Sequence, residues 1–169
     1  MTNKYLDHLL VLPEDDHNRR LVNGFRLNLG VNDRRIQILP EAGGWLNVLD
    51  SLKDPAQVRG LTSYPKRHLL LMIDFDGQVD ARQKEFEARR NVLPASARDR
   101  VYLLGCRDEP KDLRAVCDMQ LEPIGRQLAD ECPPLPVGGL WQNAQLQHND
   151  SELNRLVTQV RPFLFGNDG

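Results

Sequence analysis

His68-Leu-Leu-Leu-Met-Ile-Asp-Phe-Asp-Gly77 decides the reading of this chain. Five apolar residues run without a polar break into Asp74-x-Asp76-Gly77, the pattern of a strand buried on both faces that delivers carboxylates to its exit. In open parallel sheets ligands bind outside the carboxyl ends of the strands, so Asp74 and Asp76 stand where chemistry gathers. At spacing i, i+2 on a strand the two side chains share a face about 7 Å apart, and at an effective dielectric near 20 they repel by about 2 kcal/mol. A divalent cation removes that repulsion.

The flanking sequence repeats the pattern. Apolar runs of strand length cover 9–12, 36–39, 69–73 and 101–104. Helical spacing covers 19–29, 45–52 and 81–90 between them, and 112–116 and 123–130 after the fourth. Alternating strand and helix predicts an α/β layer fold with a largely parallel sheet and right-handed crossovers, so the strand exits converge on one edge. Pro133, Pro134, Pro136 and Gly138-Gly139 make 133–139 a rigid loop between the sheet region, 1–132, and a C-terminal extension, 140–169. In that extension Ser151 is expected to cap a helix that presents Leu153, Leu156, Val157 and Val160. At 169 residues the whole chain, 1–169, reads as one domain.

Twenty-two basic residues against 24 acidic ones give a net charge of -2, which exerts no global pull on nucleic acid or membrane. Any polyanion has to be met by a local patch. No apolar run approaches the ~18 residues of a membrane span and no basic leader precedes one, so a cytoplasmic protein with no membrane partner is expected. Cys106, Cys117 and Cys132 lack a close pair, which argues against a disulfide framework or a zinc ribbon. The acids beside Cys106 disfavour its thiolate as a nucleophile.

The other strand exits are acidic too: Glu14-Asp15-Asp16 after the first run and Asp108-Glu109 after the fourth. Oxygen-rich sites of this kind select Mg²⁺ or Mn²⁺ over zinc. Asp15, Asp16 and Asp108 equally suit helix N-caps, whereas Asp74 and Asp76 leave a buried strand and precede a glycine. Pro40-Glu41-Ala42-Gly43-Gly44-Trp45 is a glycine turn opening a helix. Backbone N–H groups at Gly43 and Gly44 can approach an anion there, or the turn serves packing alone with Trp45 in the core. Lys66 and Arg67 before the Asp pair, and the cations of 82–90 after it, either hold a phosphate-bearing substrate or form a solvated face. His148-Asn149 reads as a helix cap or a bond to the core.

A strand then Glu14, a strand then a glycine turn, a strand then Asp74-x-Asp76-Gly77, and a strand then an acid: this order resembles the Toprim domain over residues 9–112. Toprim is the metal-binding module of topoisomerases, primases and the overcoming-lysogenization-defect nucleases. The resemblance implies a three-layer Rossmann-like domain. It implies Glu14 as acid/base or metal ligand, Asp74 and Asp76 as ligands of Mg²⁺ or Mn²⁺, and Glu109 as the later acid of the nuclease branch. Asp15-Asp16 stand where that family usually has a glycine. Without helicase, polymerase or transesterification context, the implied reaction is metal-dependent phosphodiester hydrolysis of nucleic acid. Lys66 or Arg67 would steady the phosphate, and a partner protein or homodimer would supply the remaining grip. Two further resemblances compete. A response-regulator receiver would make Asp74 the phosphoacceptor with Asp15 and Asp16 on Mg²⁺, but Gly105-Cys106 replaces its Ser or Thr. A haloacid-dehalogenase-type phosphatase also carries Asp-x-Asp-Gly, but at the start of its fold. A non-catalytic α/β binding or scaffold module is the remaining alternative, since fold alone implies no activity.

Overall fold

A computed structural model describes residues 2–166; Met1 and 167–169, the ends of the expected domain and extension, lie outside the described residues. Strands β1 (His8–Pro13), β2 (Ile36–Ile38), β3 (Arg67–Met72) and β4 (Val101–Leu104) form a parallel sheet in the order β2-β1-β3-β4. Leu9 pairs with Ile36 on one side and His68 on the other, and Leu71 pairs with Leu103. This is the doubly wound order of flavodoxin-like sheets through the fourth strand, whose switch point lies between β1 and β3.

Helices α1 (Asp16–Arg26), α2 (Trp45–Asp50), α3 (Pro55–Ser63), α4 (Val79–Arg90) and α5 (Ala95–Arg98) connect the strands. After β4 come α6 (Pro110–Cys117), α7 (Leu121–Asp130), α8 (Asp150–Gln159) and α9 (Arg161–Leu164). The result is a three-layer, Rossmann-like α/β domain with C-terminal helices, as the alternation predicts. The pattern misses α3, α5 and α9. In α3 a proper start is present, with Asp54 accepting from the Ala56 N–H at 3.0 Å and Pro55 opening the helix. Leu61 is the one fully buried residue of α3, so its apolar stripe is too sparse to register. Ser151 does not cap α8. The chain enters that helix from a 3-10 turn at Gln147–Asn149, so Ser151 already lies inside the helix, and Asn149 turns its side chain to the Gly105 backbone instead.

Strand alternation divides the core. Leu9, Val11, Leu70, Met72, Tyr102 and Leu104 face α1, α7, α8 and α9, whereas Leu10, Leu12, Leu69, Leu71, Ile73 and Leu103 face the layer that includes α2, α3 and α4. Leu153, Leu156, Val160 and Leu164 belong to the first of these cores, so the C-terminal helices cover the sheet. On the same face α1 and α7 approach to backbone contact: a Cβ on Gly24 would overlap the Glu122 carbonyl, and one on Gly125 the Leu21 carbonyl. An apolar cavity of about 90 Å³ remains among Val11, Leu70, Leu104, Leu128, Trp141 and Leu156. Among the described residues no carboxylate or imidazole lines it. Among the described residues no helix is long and apolar enough to cross a membrane.

Candidate metal centre at the strand exits

The exits of β1 and β3 sit side by side at the switch point, and they bring Glu14, Asp15 and Asp74 together. One oxygen of each lies within 4.8 Å of the others. Three ligands shared by one hard cation at about 2.1–2.4 Å average at most about 3.6–4.2 Å apart, so such an ion would draw these oxygens together. The scaffolding is explicit. Glu14 follows β1 directly, and its Oε2 accepts the Asp74 backbone N–H at 2.6 Å. Asp15 is the N-cap of α1, accepting the Asn18 backbone N–H at 3.0 Å. Asp74 lies two residues beyond β3, is 7% exposed, and accepts the Asn18 side-chain amide at 2.9 Å.

Burial, then mutual repulsion, sets the electrostatics. Glu14 is pushed up to about 7, by burial first, with the Asp74 N–H opposing it and Asp74, Asp15 and Asp76 adding to it. Asp74 is pushed up to about 6, again by burial first, with the Asn18 amide opposing and Asp15, Asp76 and Glu109 adding. Two carboxyls that titrate near neutrality at one strand edge are a functional-site signature with a stated physical cause.

Asp76 occupies a different position from the one its spacing predicts. β3 ends at Met72, so the Asp pair is not on a strand and the shared-face geometry does not apply. Asp76 adopts a left-handed conformation, φ 48°, and turns to Arg82, whose Nη1 approaches its Oδ2 at 2.8 Å. The same Nη1 donates to the Asp74 carbonyl, and the guanidinium lies over the Trp45 ring, 4.3 Å from its centroid. Trp45 and Arg82 thus clamp the turn that carries Asp74.

The remaining expected residues are placed as follows. Glu109 is the N-cap residue of α6, its N–H bonded to Asp112 Oδ2 at 3.1 Å and its carboxylate paired with Lys111 at 2.9 Å. Its charge still reaches Asp74. Gly43 and Gly44 take φ values of 81° and 146°, and the Gly43 N–H donates to the Glu14 carbonyl at 2.9 Å. That N–H pins the backbone of Glu14 and so is already committed. Lys66 and Arg67 correct the sequence reading: they stand at the amino end of β3, roughly 25 Å of extended chain from Asp74, so they cannot steady a phosphate at this site. Arg67 instead donates to His8 Nε2 at 3.1 Å. Asp16 pairs with Arg19 and Arg20 away from the cluster. Cys106 is buried, and burial drives its thiol far above the usual range, consistent with an inert side chain. His148 and Asn149 bond to the Gly105 carbonyl, the second of the two uses their position suggests.

Asp15 suits by sequence either a helix cap or the acidic cluster, and the residue both caps α1 and joins the acids. Asn18 went unnoticed, although an amide three residues after an N-cap beside acidic strand exits is a readable signal. The fold and the site define an open parallel α/β domain with a three-carboxylate centre at its switch point. No family model matches the chain, and no curated protein or solved structure matches it either.

Proposed function

We propose that this chain is a Toprim-like, Mg²⁺- or Mn²⁺-dependent phosphodiester hydrolase that acts on nucleic acid. The observation that carries the reading is the convergence of Glu14, Asp15 and Asp74 at the switch point, with oxygens within 4.8 Å. An all-oxygen donor set suits a hard cation. When bound, such an ion supplies Lewis-acid polarisation of a phosphoryl oxygen and a more acidic water. Asp15 and Asp74 would hold it. Glu14, which lies beside both and whose Oε2 accepts the Asp74 N–H at 2.6 Å, would be the acid/base group that exchanges a proton with the water. Arg82 keeps the Asp74 turn in place and offsets the charge of Asp76. Grip on a duplex would come from a partner protein or a second copy.

The test is cleavage of labelled single- and double-stranded DNA and RNA, and of a bis-aryl phosphodiester, with millimolar Mg²⁺ or Mn²⁺. Activity is expected in the wild type, with at least a 100-fold loss in Glu14→Gln and in Asp74→Asn while circular dichroism stays native. Cleavage that survives in both variants rules out this centre. Cation-dependent stabilisation without turnover on any substrate assigns the site to a binding module.

A further inference from the structure

Asn18 lies in the first turn of α1 and is fully buried, at 0% exposure. Its Nδ2 donates to two carboxylates at once, Asp15 Oδ1 at 3.1 Å and Asp74 Oδ1 at 2.9 Å. Its Oδ1, buried in the same place, has no hydrogen-bond partner. An acceptor left in that state is costly to a fold, and native structures rarely keep one without a reason. The amino group therefore sits between two acids where positive charge is wanted, while an unused oxygen sits on the same amide.

We propose that Asn18 is itself a ligand of the site. Its amide nitrogen bridges Asp15 and Asp74 as a neutral stand-in for a cation, and its Oδ1 becomes an oxygen donor when a hard divalent cation enters. The inference rests on the metal reading above and adds a fourth residue to it. Two properties of the side chain make the exchange feasible. The terminal torsion of Asn is broad and roughly two-fold, so a half turn swaps oxygen and nitrogen with almost no change in volume. The amide carbonyl is a usual ligand of Mg²⁺-class and Ca²⁺-class ions alongside carboxylates, and it adds an oxygen without adding charge. Charge matters here because Glu14, Asp15 and Asp74 already crowd their oxygens within 4.8 Å of one another. The backbone of Asn18 is held by the Asp15 cap, so only the amide has to turn.

The experiment follows the Asn18 side-chain NH₂ pair by ¹⁵N–¹H correlation while wild-type protein is titrated with Mg²⁺, with calorimetric Mg²⁺ and Mn²⁺ affinities for wild type, Asn18→Leu and Asn18→Asp. The expected result is a saturable shift of that pair that is absent in Asp74→Asn. Affinity should fall tenfold or more in Asn18→Leu, and Asn18→Asp should retain or exceed the wild-type affinity. If Mg²⁺ binds but the Asn18 pair stays put and Asn18→Leu changes affinity less than twofold, Asn18 is only a packing residue and the metal reading stands. If neither ion binds the wild type, both fall. Should Asn18→Leu fail to fold, the wild-type titration decides alone.

Discussion

The two edges of the sheet bury ionisable groups in opposite ways. At the carboxyl edge Glu14 and Asp74 sit together with Asp15, and both are pushed toward neutrality by burial and by neighbouring carboxylates. At the amino edge the charges are already settled. Arg100 donates to the carbonyls of Leu61 at 2.6 Å, Arg67 at 2.5 Å and Tyr64 at 3.2 Å, so backbone dipoles hold the cation. His8 is fully buried between the Leu6 carbonyl, 2.8 Å from Nδ1, and the Arg67 Nε, which fixes it as a neutral imidazole. His68 is held down to about 4, by burial first and then by Arg100, and its Nδ1 lies 3.0 Å from the Tyr102 hydroxyl, which donates to Gln159. Buried polarity whose partners are complete is scaffold. Buried carboxyls crowded together mark the other edge as the candidate site.

The largest expected effect tests the settled edge. Arg100→Met should destabilise by about 3 kcal/mol, because several carbonyls lose a charged donor together. Urea unfolding measures it, and a loss under about 1 kcal/mol would show that these bonds are not what holds the amino edge. Next comes the unsettled edge: Mg²⁺ at 100 times its dissociation constant should stabilise the wild type by about 2.7 kcal/mol and leave Asp74→Asn unmoved in a thermal melt.

A pH series opposes the two edges directly. Between about 4.5 and 7 native Glu14 keeps a proton that the unfolded chain has released, so its contribution to stability falls as pH rises. Between about 4 and 6.5 native His68 lacks a proton that the unfolded chain holds, so its contribution rises with pH. In cation-free buffer, Glu14→Gln should tilt the stability curve upward across pH 4.5–6.5 and His68→Asn should tilt it downward. Each change is at most about 1.4 kcal/mol per pH unit. Equal slopes in all three proteins would erase the distinction. The smallest effect is Lys66→Ala, which should leave Mg²⁺ affinity within twofold by calorimetry because the residue belongs to the other edge.

The contrast explains what could be read early. Asp74 was legible because an uninterrupted run, 69–73, announces a central strand and therefore an exit. Glu14 was legible for the same reason. Asp76 was misread in its geometry because the strand stops at Met72, and a left-handed residue then points the carboxylate at Arg82. Lys66 and Arg67 were misplaced because nearness in sequence to Asp74 hides a full strand length between them.

The sequence by itself determined the α/β class, the four strands and the acidity of their exits, since these follow from hydrophobic period and local composition. Only the tertiary structure decided which exits are neighbours. The order β2-β1-β3-β4 puts residues 14 and 74 side by side, and no local pattern encodes a pairing across 60 residues. It also decided the environment of Asn18, Arg82 and Trp45, because burial and partner choice arise from packing between segments distant in the chain.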